Sequence, residues 1–155
     1  MPIRLARFDE LTTRELHALL HMRQSVLIVE QASPYPDLDG RDPEALHLIA
    51  TRPEDADSGC PAPVGCARCF GPGAEPGATT AFGRLAVLPA ERGTGLGREL
   101  VAASLALLTE RWPDHDVVIG AQLYLERFYG SFGFRRDSDV YDDVGIPHID
   151  MRLSR

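Results

Sequence analysis

The chain contains no lysine and no asparagine. Its 16 Lys+Arg side chains are therefore all arginines. No Schiff-base lysine can exist here, which excludes lysine-based covalent catalysis. Cysteine is scarce: only Cys60, Cys66 and Cys69 are present. An odd count, behind opening residues that lack the apolar run of a signal peptide, argues against a disulfide framework. Cys66 and Cys69 have C-x-x-C spacing, but Val64-Gly65-Cys66-Ala67-Arg68-Cys69-Phe70 reads as a strand. On a strand the two point to opposite faces, and zinc needs two further ligands nearby. No metal is expected. Long apolar runs are also missing. The most apolar helical stretch, residues 100–108, is interrupted and too short to span a bilayer. No membrane partner is expected, and a cytoplasmic location follows by default.

What is present fits one domain, residues 1–155, with a sizeable core. Hydrophobic residues make up 44% of the chain, an ordinary share for a globular protein. The formal net charge of −7 argues against nucleic acid as a partner. It suits encounter with a cationic amine.

Residues 2–8 alternate apolar and polar, as a strand does. Thr12-Thr13-Arg14-Glu15 contains a capping box, with Thr12 as N-cap and Glu15 at N3. Leu16, Leu19, Leu20 and Leu27 then follow helical spacing, to about Val29. Residues 32–43 form a Pro- and Asp-rich loop. Strands are predicted at 46–51, 64–70 and 79–88, separated by a polar hairpin loop at 52–63 and a Gly/Pro turn at 71–78. A long helix at 95–112 turns Leu96, Leu100, Ala103, Leu107 and Leu108 inward. Val117-Val118-Ile119 reads as a strand buried on both faces. A helix at 123–132 and strands at 135–140 and 148–153 close the chain. The class is α/β (α+β), with a mixed, mostly antiparallel sheet.

The most informative stretch is residues 82–100. An apolar strand passes through a short turn into Arg92-Gly93-Thr94-Gly95-Leu96-Gly97-Arg98 and directly into a helix. Glycines allow close backbone approach and positive φ. Unpaired N–H groups at a helix start cradle an anion. Arg92 and Arg98 add cationic donors. The loop suits a phosphate. A P-loop requires Lys after its last Gly, where Arg98 stands. The dinucleotide fingerprint G-x-G-x-x-G fails because Gly97 comes one residue early.

A third pattern, Q/R-x-x-G-x-G/A, is matched at every fixed position by Arg92-Gly93-Thr94-Gly95-Leu96-Gly97. It is the pyrophosphate loop of the GCN5-related N-acetyltransferase (GNAT) superfamily, which the chain resembles. Phe128-Tyr129, followed by Gly133-Phe134, is similar to the late helix and strand of that superfamily. Pro34-Tyr35-Pro36-Asp37-Leu38-Asp39 and Gly145-Ile146-Pro147-His148 resemble its ElaA-like subfamily, extending the likeness over nearly the whole chain. Two departures stand out: Ser33 where the subfamily has Cys, and Val144 where it has an acid.

The resemblance implies a central sheet of about seven strands flanked by about four helices, and acetyl-CoA as co-substrate. It implies that Leu85, Ala86 and Val87 bind the pantetheine arm, and that residues 92–98 (Arg92, Gly93, Thr94, Gly95, Leu96, Gly97 and Arg98) hold the pyrophosphate. The oxyanion donor is expected to be a backbone N–H near Leu85 or Ala86. Tyr129 is the expected proton donor to the leaving thiolate. Many relatives carry a Glu on the central strand, but Ala81-Phe82-Gly83-Arg84-Leu85 has no acid. His148 and Glu30 are the candidates for the base. Tyr35, Asp37, Asp39 and Gln122 are candidates for binding the acceptor, with Asp42 and His47 nearby in sequence. The implied activity is N-acetylation of a primary amine on a small molecule or peptide. The alternative is a non-catalytic acyl-CoA-binding or sensor module. A homodimer is left open.

The missing lysines carry one expectation. Intact-mass spectrometry after incubation with acetyl-CoA should show at most one stable amide acetylation, at the N-terminal amine. A second amide-linked acetyl group would contradict it.

Overall fold

The computed structural model describes residues 1–52 and 61–155. Cys60 and most of the polar loop expected at 52–63 lie outside the described residues. The strands are β1 (Ile3–Arg7), β2 (Leu46–Thr51), β3 (Pro63–Phe70), β4 (Thr80–Val87), β5 (Val117–Gln122), β6 (Arg135–Arg136), β7 (Tyr141–Asp143) and β8 (Ile146–Leu153). They form one sheet in the order β1-β2-β3-β4-β5-β8-β6, with β7 also paired to β8. Every pairing is antiparallel except β4 with β5. The mixed, mostly antiparallel sheet is as expected.

The counts differ slightly from expectation. Eight strands and three α-helices are found among the described residues: α1 (Thr13–Gln24), α2 (Leu96–Arg111) and α3 (Glu126–Gly130). The helix expected at 123–132 is a 3-10 turn at Leu123–Leu125 followed by the five residues of α3. The strand expected at 135–140 shrinks to β6, and β7 takes up the hairpin beyond it.

Local chemistry explains the helices. Thr12 Oγ1 accepts from the Glu15 N–H at 3.2 Å, and the Glu15 carboxylate accepts from the Thr12 N–H at 2.8 Å. The helix passes into a π-helical turn, Ser25–Glu30, where Ser25 Oγ donates to the His21 carbonyl. Gly95 caps α2 at φ +95°, a conformation costly for any residue with a Cβ. Pro113 bars its continuation past Trp112.

The helices cover opposite faces of the sheet. Leu96, Leu100, Val101 and Leu108 of α2 are buried against Leu48, Val64, Cys69 and Phe82. Leu19, Met22, Val26 and Leu27 pack with Ile49, Cys66 and Ala86 on the other face. Each Leu, Val, Ile, Met or Phe among them contributes about 1.5–3 kcal/mol on burial. Cys66 and Cys69 thus face opposite ways. Burial pushes their thiols up to about 12 and about 11. No His/Cys/Asp/Glu group suited to a metal is found among the described residues. In β5 burial alternates, with Val118 only half-buried, so the expectation of a strand buried on both faces is corrected. One face of β5 opens to a cleft.

Under that cleft lies a buried ion network. Arg23, 1% exposed, donates to Asp42 Oδ1 at 2.6 Å and to Asp37 Oδ2 at 2.8 Å. Arg68 holds Asp39 with a fork at 2.8 and 2.7 Å and reaches Asp42 at 3.2 Å. His47 Nε2 lies 2.9 Å from the Asp42 carbonyl. The loop read from sequence as a possible acceptor site is thereby anchored to α1 and β3.

Removing one partner from a buried pair leaves an uncompensated charge, at about 3–5 kcal/mol. Arg23→Ala should lower unfolding stability by about that amount, measurable by urea denaturation; a loss under about 1 kcal/mol would contradict the role given to the network. The arginines hold the Asp39 and Asp42 carboxyls below the usual range, against opposing desolvation. A carboxyl depressed on folding adds stability above its unfolded pKa of about 4 and loses it as pH falls through the folded value. Stability should therefore drop as pH is lowered below about 4.

Candidate active site

β4 and β5 are paired only at Thr80–Val117 and Ala81–Val118. Beyond these pairs they diverge, and the gap forms a cleft of about 770 Å³. Phe82, Arg84, Leu85, Gln122, Tyr129 and His148 are among its walls. The β3–β4 register shifts between Cys66 and Arg68, and across from this Arg84 adopts φ +50°. A bulge of this kind bends a strand out of the sheet plane. For a non-glycine residue it also stores backbone strain.

The Leu88 N–H donates to the Val64 carbonyl at 2.9 Å, and Ala86 sits opposite Cys66. Antiparallel alternation therefore turns the backbone groups of Ala86 towards β3 and those of Leu85 and Val87 towards the gap. Ala86 is removed as a backbone ligand or oxyanion donor. The Val87 carbonyl already accepts from Arg92 Nε at 3.1 Å.

At the start of α2, Gly93 and Gly95 adopt φ +79° and +95°. The amides of residues 93–97 donate to no carbonyl or side chain among the described residues. Gly93, Thr94 and Gly95 are exposed, and a Cβ at Gly93, Gly95 or Gly97 would meet open space. Leu96 is buried, so its contribution to the loop is its amide. Thr94 Oγ1 donates to the Glu91 carbonyl at 2.7 Å, closing the turn. Five free N–H groups at a helix start fit a diphosphate. Arg98 donates to Ser131 Oγ and lies over the Phe132 ring, at 2.9 and 4.6 Å.

Glu30 forms a two-pronged pair with Arg92, at 2.6 and 2.8 Å. Those hydrogen bonds hold its carboxyl below the usual range. Such a carboxylate is a poor base, so Glu30 is corrected from candidate base to partner of Arg92.

Tyr129 is 6% exposed and packs against Phe82, Phe128 and Phe134. It lines the cleft, and its hydroxyl has no partner among the described residues. Burial raises its pKa well above the usual phenol value. It is protonated at neutral pH.

His148 stands across from Gln122 on β8. Its Nδ1 lies 2.8 Å from the Ile146 carbonyl, and its Nε2 3.9 Å from Asp143 Oδ2. A carbonyl only accepts, so Nδ1 carries the hydrogen of that bond; in the neutral imidazole the lone pair then sits on Nε2. Tyr141 stacks on the ring at 6.0 Å, with its hydroxyl donating to Asp150. Gln122 Nε2 donates to Gln31 Oε1 at 2.9 Å, tying β5 to the end of the first helix.

Tyr35 lies beneath the Arg84 guanidinium, 5.1 Å from it. Asp39 lines the cleft but is held by Arg68. Asp37 is buried and paired with Arg23. Neither is a free acid. Asp143, Tyr141, Gln31 and Arg84 were missed from sequence. A carboxylate on β7 facing His148 on β8 gives no local signal, because β7 is exposed throughout.

The two departures from the subfamily pattern touch: Ser33 Oγ donates to the Val144 carbonyl at 3.2 Å. Val144 and Gly145 adopt φ +51° and +83°, the pattern of a type I′ turn.

A family model described as an acetyltransferase (GNAT) domain matches residues 64–155. Protein ElaA of Escherichia coli K12 is 38% identical over an alignment of 147 residues that covers 92% of this chain and 90% of that protein. An acyl-CoA N-acyltransferase from Pseudomonas aeruginosa superposes with a TM-score of 0.88 at 34% identity, over 99% of both chains. The crystal structure of Escherichia coli ElaA gives 0.86 at 34% identity, over 97% of each chain.

A β-branched residue at positive φ is strained by about 1–2 kcal/mol, whereas Asn tolerates that conformation. Val144→Asn should raise stability by about 1 kcal/mol in urea denaturation. A loss of stability would show that the valine side chain makes a compensating contact.

Proposed function

Since the chain belongs to the GNAT family of acetyltransferases, we propose that it transfers an acetyl group from acetyl-CoA directly to a primary amine of a small molecule or peptide. The observation that carries this reading is the split between β4 and β5. It has five free amides at one end and an unpaired, protonated Tyr129 in its wall.

When bound, the thioester supplies an activated acyl group. The amides of residues 93–97 hold the diphosphate, with the α2 dipole favouring negative charge there. Gap-facing groups of Leu85 and Val87 guide the pantetheine arm along β4. The Leu85 N–H meets the negative charge that develops on the acyl oxygen. His148 Nε2 accepts the proton the amine loses, and Asp143 stabilises the resulting imidazolium. Tyr129 gives its proton to the departing sulfur as the carbon–sulfur bond breaks and the carbon–nitrogen bond forms.

CoA should raise the Tm, because it binds the folded state only. Gly95→Val should abolish the shift by forcing a β-branched residue into φ +95°. Tyr129→Phe should keep the shift and lower kcat by about tenfold to a thousandfold. A folded protein whose Tm is unmoved by millimolar CoA would contradict the reading. Unchanged turnover in Tyr129→Phe would remove the tyrosine from the mechanism.

A further inference from the structure

The acceptor half of the cleft carries a pattern of charge that the acids in the sequence do not suggest. Arg41 is paired with Glu75, Arg68 with Asp39, and Arg152 with Asp137. Besides Asp150, whose carboxylate accepts from the Tyr141 hydroxyl at 2.8 Å, two cleft-lining charges stand out for loose ionic contacts. One is Asp143, whose nearest ionic neighbour is His148 Nε2 at 3.9 Å. The other is Arg84. Its Nε lies 2.9 Å from Asp37 Oδ1, yet neither atom gains a hydrogen bond, because the N–H points off the line between them. Its Nη2 reaches the Asp37 carbonyl and Asp39 Oδ2 only at 3.4 Å. Its Nη1 donates to nothing among the described residues.

Arg84 also rides on left-handed backbone in the bulge where β4 leaves β5. Glycine would relieve that strain at no steric cost, yet arginine occupies the position. At that strained position Arg84 lines the cleft, its planar guanidinium backed by the Tyr35 ring at 5.1 Å. A planar fork with free N–H groups is the donor geometry that matches a carboxylate.

We infer that the acceptor is an amine that also bears a carboxylate, an amino acid or peptide acid, with Arg84 binding the carboxylate while the amine faces His148 and Asp143. This rests on the acetyl-transfer reading and narrows its substrate class. It disfavours polyamines. The acids expected to draw them, Asp37 and Asp39, are already neutralised by Arg23 and Arg68.

The test compares amino acids and dipeptides, each against its own carboxamide, together with simple diamines. Binding is read by ligand-observed NMR on the CoA-loaded protein, and turnover by thiol release from acetyl-CoA. Free acids should bind about tenfold or more tighter than their carboxamides, and diamines should not compete. Whichever of the amino-acid and dipeptide arms binds tighter identifies the source. Arg84→Gly relaxes the backbone while deleting the guanidinium. It should erase the acid preference by raising KM for the free acids far more than for their carboxamides, and keep the CoA-induced Tm shift. Arg84→Lys should restore part of the preference. Carboxamides or diamines binding as well as the acids, no acid binding at all, or an acid preference that survives in Arg84→Gly would each overturn the inference. Should Arg84→Gly not fold, the parent panel decides alone. Failure of CoA to shift the parent's Tm counts instead against the acetyl-transfer reading, and leaves the acid-to-amide ratio to judge Arg84.

Discussion

The site depends on how briefly β4 and β5 stay together. Two residue pairs hold them, and then the strands part. Had the ladder continued, the gap-facing groups of Leu85 and Val87 would be spent on β5. There would be no cleft for Tyr129 and His148 to line. The bulge at Arg84 bends β4 away at the point of parting. The same strand then leads through Pro89–Glu91 to the glycine loop, so one distortion sets both the cleft and the approach to the free amides. The cost of leaving backbone groups unpaired in the gap is tolerable only because water or a ligand can reach them.

Behind the split, two helices on opposite faces keep the sheet rigid, and the arginine–aspartate network fixes the loop that floors the cleft. Arg23, Arg68 and Arg84 face Asp37, Asp39 and Asp42. Three positive and three negative charges balance formally, but unevenly in geometry. Arg23 and Arg68 make short forks, whereas Arg84 approaches Asp37 at 2.9 Å without a hydrogen bond and Asp39 only at 3.4 Å. A strained residue with spare donors at a cleft wall is the expected form of a binding group, since strain persists where the surroundings over-determine it.

Local signals were legible in the sequence. The Thr12 and Glu15 cap, the Gly93–Gly95 loop and the apolar spacing of α2 each depend on neighbours in the chain. The family likeness added Tyr129 and His148. What could not be read was set by distant pairing. Asp37 and Asp39 look like a solvated acidic loop until Arg23 and Arg68 are placed against them from 14 and 29 residues away. Ala86 and Leu85 are indistinguishable until the register with β3 decides which faces the gap. β7 escaped because Tyr141, Asp142 and Asp143 are all exposed and show no alternation, and because Val144 is a poor turn former. Glu30 lost its candidacy to an arginine 62 residues later.

A crystal structure with bound CoA tests the central claim most directly. The account places the diphosphate oxygens on the amides of residues 93–97, the pantetheine arm between β4 and β5, and the sulfur within hydrogen-bonding reach of the Tyr129 hydroxyl. A diphosphate bound away from those amides, or a sulfur outside the β4–β5 gap, would contradict it.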